Sequence, residues 1–419
     1  MMAFPMTRRH WLAGALGGSA AVSSTGDSHA QSGPIVAAAG LSPAFPVSAL
    51  TDTRVWDDAK FREAFLPRQS PTRIVHRYWP APVTVLGRQP HAVVARCRDG
   101  MIDTITLLFL DSGTHFGYVP KSQAQQTEAE NSQAFQALFA QVSTGVRSET
   151  ERLASGPAQS LSLGREPMLS QAVSLFRCGN VIARLHSIEE QLVKVVLFRD
   201  EATARNWFDP EELERKGSDR AKTYARAVIN QPNGDTLLDD IPVLPQGDRA
   251  YCGVSSLAMA MQSLGLSLDT EDYAAAAGIR YGSTRGSHIR ETYEAAASEA
   301  GFRLSRATRY DHDKVIASID AGLPVLVWRR WTQERDYLHS MFLRKLAKDP
   351  ESRLPEPDAT DRASWPDKDA YNHSSVITGY NTERREVIFS ESWSEMVRNR
   401  RMRPEEMEGT AYYTFLLRL

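Results

Sequence analysis

The residues best suited to chemistry lie in the stretch from Gln246 to Gly265, QGDRAYCGVSSLAMAMQSLG. Cys252 stands at the first turn of a predicted helix that Gly265 ends. Apolar residues follow it at the spacing of one buried helical face, at Val254, Leu257, Ala258, Met261 and Leu264. A helix N-terminus favours a thiolate, the nucleophilic form, and the Gln246 amide can donate to an oxyanion. The alternative is a buried Cys252 that acts only as a small hydrophobe, with Gln246 in an ordinary loop.

This stretch resembles the papain-like cysteine peptidases, in which a Gln precedes the catalytic Cys by the same interval and the Cys opens the central helix. The letters CG, followed by LAM within the helix, are most similar to the double-glycine leader peptidases, the peptidase C39-like group. The resemblance runs from Asp240 to the C-terminus. It implies an α+β fold whose C-terminal domain is papain-like, with a helical part and an antiparallel sheet.

Two later strand-like runs, HSSVITGYN and EVIFSESW, extend the resemblance. It implies that His373 is the general base and that Glu391, just before a Ser-Trp pair, orients the imidazole. Papain has Asn at that place and the leader peptidases have Asp, so the longer Glu is a departure, and the interval from His373 is slightly long. The alternatives are orientation by Ser390 or Ser392, an exposed Glu391 at a strand end, and a His373 that is merely structural.

The remaining histidines are weaker candidates for the base. His288 is expected near a helix cap, His312 in a turn and His339 in a helical insertion. The N-terminal half has four more histidines without metal-ligand spacing, His76, His91, His115 and His186. The sequence has no P-loop, zinc spacing or dinucleotide fingerprint, so neither a metal nor an organic cofactor is expected.

The N-terminal half is predicted to be a smaller α+β domain of unknown role, which packs on the C-terminal domain, guides substrate to it or restrains it. Strand-like runs flank Asp99-Gly100 and Gly179-Asn180, which predict hairpins. A third strand is predicted over 192–198, and helices over 123–139 and 201–229, before a turn at Asn233-Gly234.

The C-terminal half is predicted to continue with helices over 270–277, 288–300 and 313–321 and strands over 303–308 and 325–328. Residues 329–371 are interpreted as an insertion, which is either a lid or specificity loop or a surface ornament. The arginines of the C-terminal half either bind anionic substrate groups or, as the preferred interpretation, form a self-neutralised surface helix with the glutamates that follow. They are Arg398, Arg400, Arg401 and Arg403, followed by Glu405, Glu406 and Glu408.

The N-terminus carries a predicted export signal. The residues TRRHWL, from Thr7 to Leu12, resemble the twin-arginine motif, with Trp at the usual Phe place, and Ser28-His29-Ala30 is a candidate cleavage site. An accidental Arg pair is the alternative. The predicted organisation is a signal peptide over 1–30, a linker over 31–52, the N-terminal domain over 53–235 and the papain-like domain over 236–419. Export predicts a periplasmic or secreted protein.

The number of cysteines is informative if the protein is exported as predicted. In an oxidising compartment, three cysteines leave at least one thiol free unless chains pair. Cys97 and Cys178 both lie in strand-like stretches and form either one disulfide or two separate buried thiols. Cys252 is then the free thiol that catalysis requires.

Composition limits the partners. The chain is 42% hydrophobic and 24% charged, with a formal net charge of −2, which gives no general attraction for nucleic acid or an anionic membrane. No apolar run is long enough to span a bilayer, so no stable membrane insertion of the mature form is expected.

The predicted function is an exported cysteine peptidase acting on a peptide or protein. The alternatives are an inactive binding module and a transglutaminase- or amidase-type acyl transferase acting on cell-envelope substrates. The oligomeric state is left open.

Overall fold

A computed structural model describes residues 44–66, 72–215 and 217–419. All of these lie in one compact unit, Ala37–Leu419. The predicted export signal and residues 31–43 of the predicted linker lie outside the described residues, so the structure does not bear on them. The rest of the predicted linker is not a free connection, because Val47–Leu50 form a 3-10 helix and Phe45, Ala49 and Leu50 are buried in the core of the N-terminal half. Among the described residues, no helix is long and apolar enough to cross a bilayer.

The N-terminal half of the described chain contains a seven-stranded antiparallel sheet, in the order β1-β2-β3-β7-β6-β5-β4. Its strands are β1 (Ile74–Tyr78), β2 (Ala92–Arg98), β3 (Met101–Asp111), β4 (Gln159–Leu163), β5 (Gln171–Cys178), β6 (Val181–Ile188) and β7 (Leu192–Phe198). The predicted Asp99-Gly100 hairpin is confirmed. Both residues have positive φ, 49° and 80°, as a two-residue turn of this type requires.

One face of this sheet is covered by a long helix. The helices of this part are α1 (Arg54–Asp57), α2 (Ala59–Ala64), α3 (Ser112–Phe116) and α4 (Ala124–Leu153). Phe135, Val142 and Val146 of α4 are buried, because alternate side chains of the strands point towards this helix. The predicted helix over 123–139 is therefore correct in type but continues for about four more turns.

The other face of the sheet packs against the C-terminal half. Val173 of β5 belongs to the same hydrophobic cluster as Leu257. The buried Lys194 of β7 donates to Asp269 at 2.6 Å and to Asp272 at 2.7 Å. Because both faces are covered, β6 and β7 are buried over almost their whole length.

The predicted helix over 201–229 is wrong. The structure has three short helices, α5 (Glu201–Ala204), α6 (Pro210–Glu214) and α7 (Gly217–Arg226), followed by strand β8 (Val228–Asn230). Pro210 begins α6 because proline is tolerated at a helix start but breaks a helix interior. Strand β8 forms a hairpin with β9 (Thr236–Leu238) through Asn233-Gly234. Since β9 joins the C-terminal sheet, β8 also does, although the predicted domain boundary lies after it.

The C-terminal half consists of a helical part and an antiparallel sheet in the order β10-β15-β11-β12-β13-β14. The strands are β10 (Arg303–Ala307), β11 (Val325–Trp331), β12 (Tyr371–Asn381), β13 (Glu386–Ser390), β14 (Arg400–Met402) and β15 (Ala411–Arg418). The helices are α8 (Cys252–Ser263), α9 (Thr270–Ala276), α10 (Ile289–Glu299), α11 (His312–Asp320), α12 (Gln333–Lys348), α13 (Ala359–Ala363) and α14 (Pro404–Thr410). The predicted α+β class is confirmed, with a C-terminal half made of a helical part and an antiparallel sheet.

Helix α8 is the central element of this half. It begins at Cys252 as predicted, and Gly265, with φ of 86°, follows its end. The expectation of one buried face is wrong, because every residue from Gly253 to Gln262 is buried. Sheet strands, α9, α10 and the N-terminal sheet surround the helix, and His76 of β1 reaches Gln262 at 2.8 Å.

The insertion and the arginine cluster are joined by buried ion pairs. Within 329–371, β11 takes the first three residues, and α12 and α13 follow. On α12, Arg335 and His339 bond to Glu406, at 2.6 and 2.8 Å, and Asp336 pairs with Arg400 of β14. The predicted surface helix is wrong for the arginines, since Arg400 lies in a strand and is 1% exposed, whereas the glutamates that follow lie in α14.

Cys97 and Cys178 are separate buried thiols, so the disulfide alternative is not realised. Burial raises the pKa of both thiols, to about 11 for Cys178. Cys252 is half-buried, whereas the other two thiols are buried. A solvent-borne electrophile therefore has its best access at Cys252.

Candidate active site

The register of three neighbouring strands brings the predicted residues together. Arg329 of β11 lies directly opposite His373 of β12. On the other side of β12, Val376 pairs with Ser390 of the antiparallel strand β13. The residues that follow Ser390 therefore lie alongside His373. Since side chains alternate along strands, Arg329, His373, Glu391 and Trp393 lie on the same side of the sheet. Helix α8 packs against β12, where the Ser256 hydroxyl donates to the Ser374 carbonyl at 3.1 Å.

The thiol of Cys252 lies at the N-terminus of α8, after the N-cap residue Tyr251. Burial raises the pKa of Cys252, but three kinds of interaction outweigh it and the net pKa is lowered. These are a hydrogen bond with His373, the charge of that imidazolium, and backbone N–H groups of Ser374 and Gly253 that donate to the sulfur. The arrangement favours the thiolate.

His373 bridges the thiol and a carboxylate. Its Nε2 lies 2.6 Å from Glu391 Oε2, which leaves Nδ1 as the ring nitrogen for the hydrogen bond with Cys252. Burial lowers the pKa of His373, yet the Glu391 charge and the hydrogen bonds to Cys252 and Glu391 raise it to about 9. The ring of Trp393 stacks on the imidazole, with centroids 4.9 Å apart and planes at 2°, and fixes its orientation.

Glu391 is fully buried, so the alternative of an exposed acid is wrong. Arg329 Nη2 donates to its Oε1 at 2.5 Å, and the Ser375 hydroxyl lies 3.0 Å from both oxygens. Burial raises the pKa of Glu391, but the charges of His373 and Arg329 outweigh burial and hold this pKa well below its usual range. A buried, fully bonded carboxylate stays ionised and keeps the imidazole protonated.

The two serines considered in place of Glu391 are engaged elsewhere. The Ser392 hydroxyl donates to Gln246 Oε1 at 2.7 Å, and the Ser390 hydroxyl accepts from the Asn399 N–H at 3.2 Å. Of the residues considered from the sequence, Glu391 is therefore the one that the structure places against the imidazole.

Gln246 is held in one orientation. Its backbone N–H donates to the Ser392 carbonyl at 2.7 Å, its Oε1 accepts from the Ser392 hydroxyl, and its Nε2 donates to the Arg249 carbonyl at 3.1 Å. Ser392, which forms both of the hydrogen bonds just described with Gln246, is followed by Trp393, and Trp393 stacks on His373. Gln246 is therefore connected to the imidazole through Ser392 and Trp393. An amide nitrogen carries two hydrogens, so one remains for a further acceptor.

The histidines rated as weaker candidates lie apart from this chain of contacts. His288 is the N-cap residue of α10, as predicted. His312 begins α11 and bonds to Tyr310 at 2.9 Å. His339 is a buried partner of Glu406.

Sequence reasoning missed Arg329, Ser375 and Tyr293. The Tyr293 hydroxyl of α10 donates to the Gly253 carbonyl at 2.7 Å and lies 3.3 Å from the Ser374 hydroxyl, so it holds the start of α8 against β12. A signal for Arg329 was present, because it follows the apolar run VLVW in a strand expected to be buried. An arginine on a buried strand needs a partner of opposite charge.

An aromatic surface continues outward from the imidazole. The Trp331 ring lies 6.1 Å from the rings of both His373 and Trp393 and 6.5 Å from that of Tyr371. Tyr371 is 72% exposed. A substrate that approaches His373 from this side meets flat apolar rings.

No group of three or more His, Cys, Asp or Glu side chains in the described residues is arranged to hold a metal ion.

Comparison with known proteins finds similar sequences for the C-terminal half. Residues 238–415 match the Peptidase_C39 like family, and the match supports a relationship of this part of the chain to the C39-like peptidases. A solved structure from Bacillus anthracis, described as a C39-like peptidase, aligns with a TM-score of 0.30 and 15% identity, over 44% of this chain and 98% of its own. No curated protein matches the chain.

Proposed function

We propose that the C-terminal half is a cysteine peptidase that hydrolyses peptide or amide bonds. The observation that carries the proposal is the continuous chain of contacts from the half-buried Cys252 through His373 to the buried Glu391. A thiol with a lowered pKa, a protonated imidazole and an ionised carboxylate in this order are the parts of an activated nucleophile. The match to the C39-like family supports the same class of enzyme.

In this mechanism the Cys252 sulfur attacks the carbonyl carbon of the substrate as a thiolate. The carbonyl electron pair moves to the oxygen, which accepts hydrogen bonds from the backbone N–H of Cys252 and from the free N–H of Gln246. The first N–H groups of a helix have no intrahelical acceptor, so that of Cys252 is free for this role.

His373 then acts twice. As imidazolium it donates its proton to the departing amine while the C–N bond breaks, which leaves a thioester on Cys252. As neutral imidazole it takes a proton from water, whose oxygen attacks the thioester carbon. The C–S bond then breaks, which releases the acid and restores the Cys252 thiolate beside the imidazolium. Glu391 holds the ring tautomer and stabilises its charged form throughout.

The amine released in the first step departs beside the imidazole. We infer that this product side lies along Trp331 and Tyr371, so the leaving part of the substrate packs on aromatic rings. We also propose that the substrate is met outside the cytoplasm, since the twin-arginine-like residues remain the reason to expect export.

The proposal is tested by incubating the purified chain with a peptide library and identifying products by mass spectrometry. We expect new carboxyl termini at a limited set of sequences, with product-side residues biased towards apolar types. Addition of a primary amine separates hydrolysis from acyl transfer, because a transferase gives amide products in place of acids. Absence of cleavage, with the thiol intact and the chain folded, contradicts the proposal.

A further inference from the structure

The loop that precedes Cys252 is bonded to the N-terminal half of the chain. Tyr251, the N-cap residue of α8, is 1% exposed. Its hydroxyl donates to Asp111 Oδ1 at 2.8 Å and accepts from the Gly113 N–H at 3.0 Å. Both partners come from the junction between β3 and α3, far outside residues 238–415.

A second connection runs through Arg249. Its guanidinium lies 3.4 Å from Asp111 Oδ2 and pairs with Glu271. The same group donates to the Gln246 carbonyl at 2.7 Å and to the Pro245 carbonyl at 3.1 Å. One arginine therefore joins the carboxylate of Asp111 to the backbone of the residue proposed to bind the oxyanion.

The carboxylate at the centre of these contacts is itself fixed. Asp111 is 2% exposed, ends β3 and caps α3, where the Thr114 N–H and hydroxyl both donate to its Oδ2 at 2.7 Å. Gly113 lies so close to Tyr251 that a Cβ there would be 2.3 Å from the ring. The contact thus depends on a glycine and a buried acid in the N-terminal half.

We propose that Asp111 is a positioning residue of the active site, which acts through Tyr251 and Arg249 on the loop from Gln246 to Cys252. The inference rests on the proposed peptidase function and assigns the N-terminal half a role in it. The N-terminal half supplies a rigid support for the oxyanion-binding groups, and these groups must be held in position to within a fraction of an ångström. Cleavage then requires both halves of the chain.

The test uses Asp111→Asn and Tyr251→Phe in the full chain, on a peptide that the library identifies. We expect kcat to fall about 10- to 100-fold with KM changed less than about twofold, because a displaced oxyanion donor weakens only the transition state. A peptide aldehyde with the acyl-side sequence should bind more weakly by the same factor, since its adduct with Cys252 places an oxygen at the oxyanion position. Alkylation of Cys252 by iodoacetamide forms no oxyanion and should keep its rate.

Asp209→Asn is the matched control. Asp209 is equally buried and pairs with Arg96 and Arg98 of the N-terminal sheet, but it contacts neither Tyr251 nor Arg249. This variant should lose stability and keep kcat and aldehyde affinity. If the Asp111 and Tyr251 variants fold and keep wild-type kcat and aldehyde affinity, the positioning role is overturned. It is also overturned if the rate of Cys252 alkylation falls by the same factor as kcat. A wild-type chain that gives neither cleavage nor an aldehyde adduct overturns the peptidase proposal instead.

Discussion

The Cys252→Ala variant should lose peptide hydrolysis by a factor on the order of 10⁴ to 10⁶, with its fold intact. The reason is that the sulfur forms the covalent intermediate, and no other side chain in the chain of contacts from His373 to Arg329 can replace it. The measurement is kcat on a library-derived peptide, with circular dichroism to verify folding. Activity within about tenfold of wild type in this variant would contradict the proposed mechanism.

The other two cysteines provide matched controls. Cys97 and Cys178 are buried in the N-terminal core, and burial raises the pKa of both thiols. Their replacement by Ala should lower the free energy of unfolding by about 1–2 kcal/mol through lost packing. Hydrolysis should be unchanged in these variants, so a loss of activity confined to Cys252→Ala cannot be attributed to cysteine removal as such.

The His373→Ala variant should lower kcat by about 10²- to 10⁴-fold. It removes the proton donor for the leaving amine and also the positive charge that stabilises the thiolate. The pKa of Cys252 should therefore rise, because burial, which raises it, is then less strongly opposed. Both effects are measured, the first by steady-state kinetics and the second by the pH dependence of alkylation.

His339→Ala is the control for this variant. His339 is also a buried histidine paired with a carboxylate, at 2.8 Å from Glu406, but it lies on α12 and belongs to the ion pairs that hold the insertion. Its loss should lower the free energy of unfolding by about 1–3 kcal/mol and leave kcat and the pKa of Cys252 unchanged. Equal losses of activity in the two variants would indicate that neither histidine has a chemical role.

Local features of the fold were predictable from the sequence. Helix α8 was recognised from its apolar spacing and Gly265, and the Asp99-Gly100 hairpin from its turn residues. In each case the determining residues are close neighbours in the chain. Cys252, Gln246, His373 and Glu391 were predicted because their local surroundings resemble a known family, and their contacts fit that interpretation. Their catalytic roles stay proposals.

Features set by distant partners were not predictable. Arg329 and Glu391 are 62 residues apart, and Tyr251 and Asp111 are 140 apart, so no local pattern joins them. The predicted surface helix over 398–403 failed for the same reason. The glutamates next to those arginines in the sequence predict local neutralisation, whereas Arg400 pairs with Asp336 in the insertion. The error over 201–229 has a local cause. Residues of high helix propensity predict one continuous helix there, although Pro210 starts a new helix.

The proposed mechanism depends most on the ion pair between Cys252 and His373. The pKa of the thiol is lowered and that of the imidazole is raised to about 9, and both shifts favour the charged pair. Glu391→Gln removes the negative charge that favours the imidazolium. The imidazole pKa should then fall, and the thiolate should form only at higher pH.

The most direct measurement is the rate of Cys252 alkylation by iodoacetamide as a function of pH, in the wild type and in Glu391→Gln. We predict a wild-type midpoint below the ordinary thiol value of 9.0 and a higher midpoint in the variant. A wild-type midpoint at or above 9.0, unaffected by the substitution, would contradict the ion pair and with it the proposed mechanism.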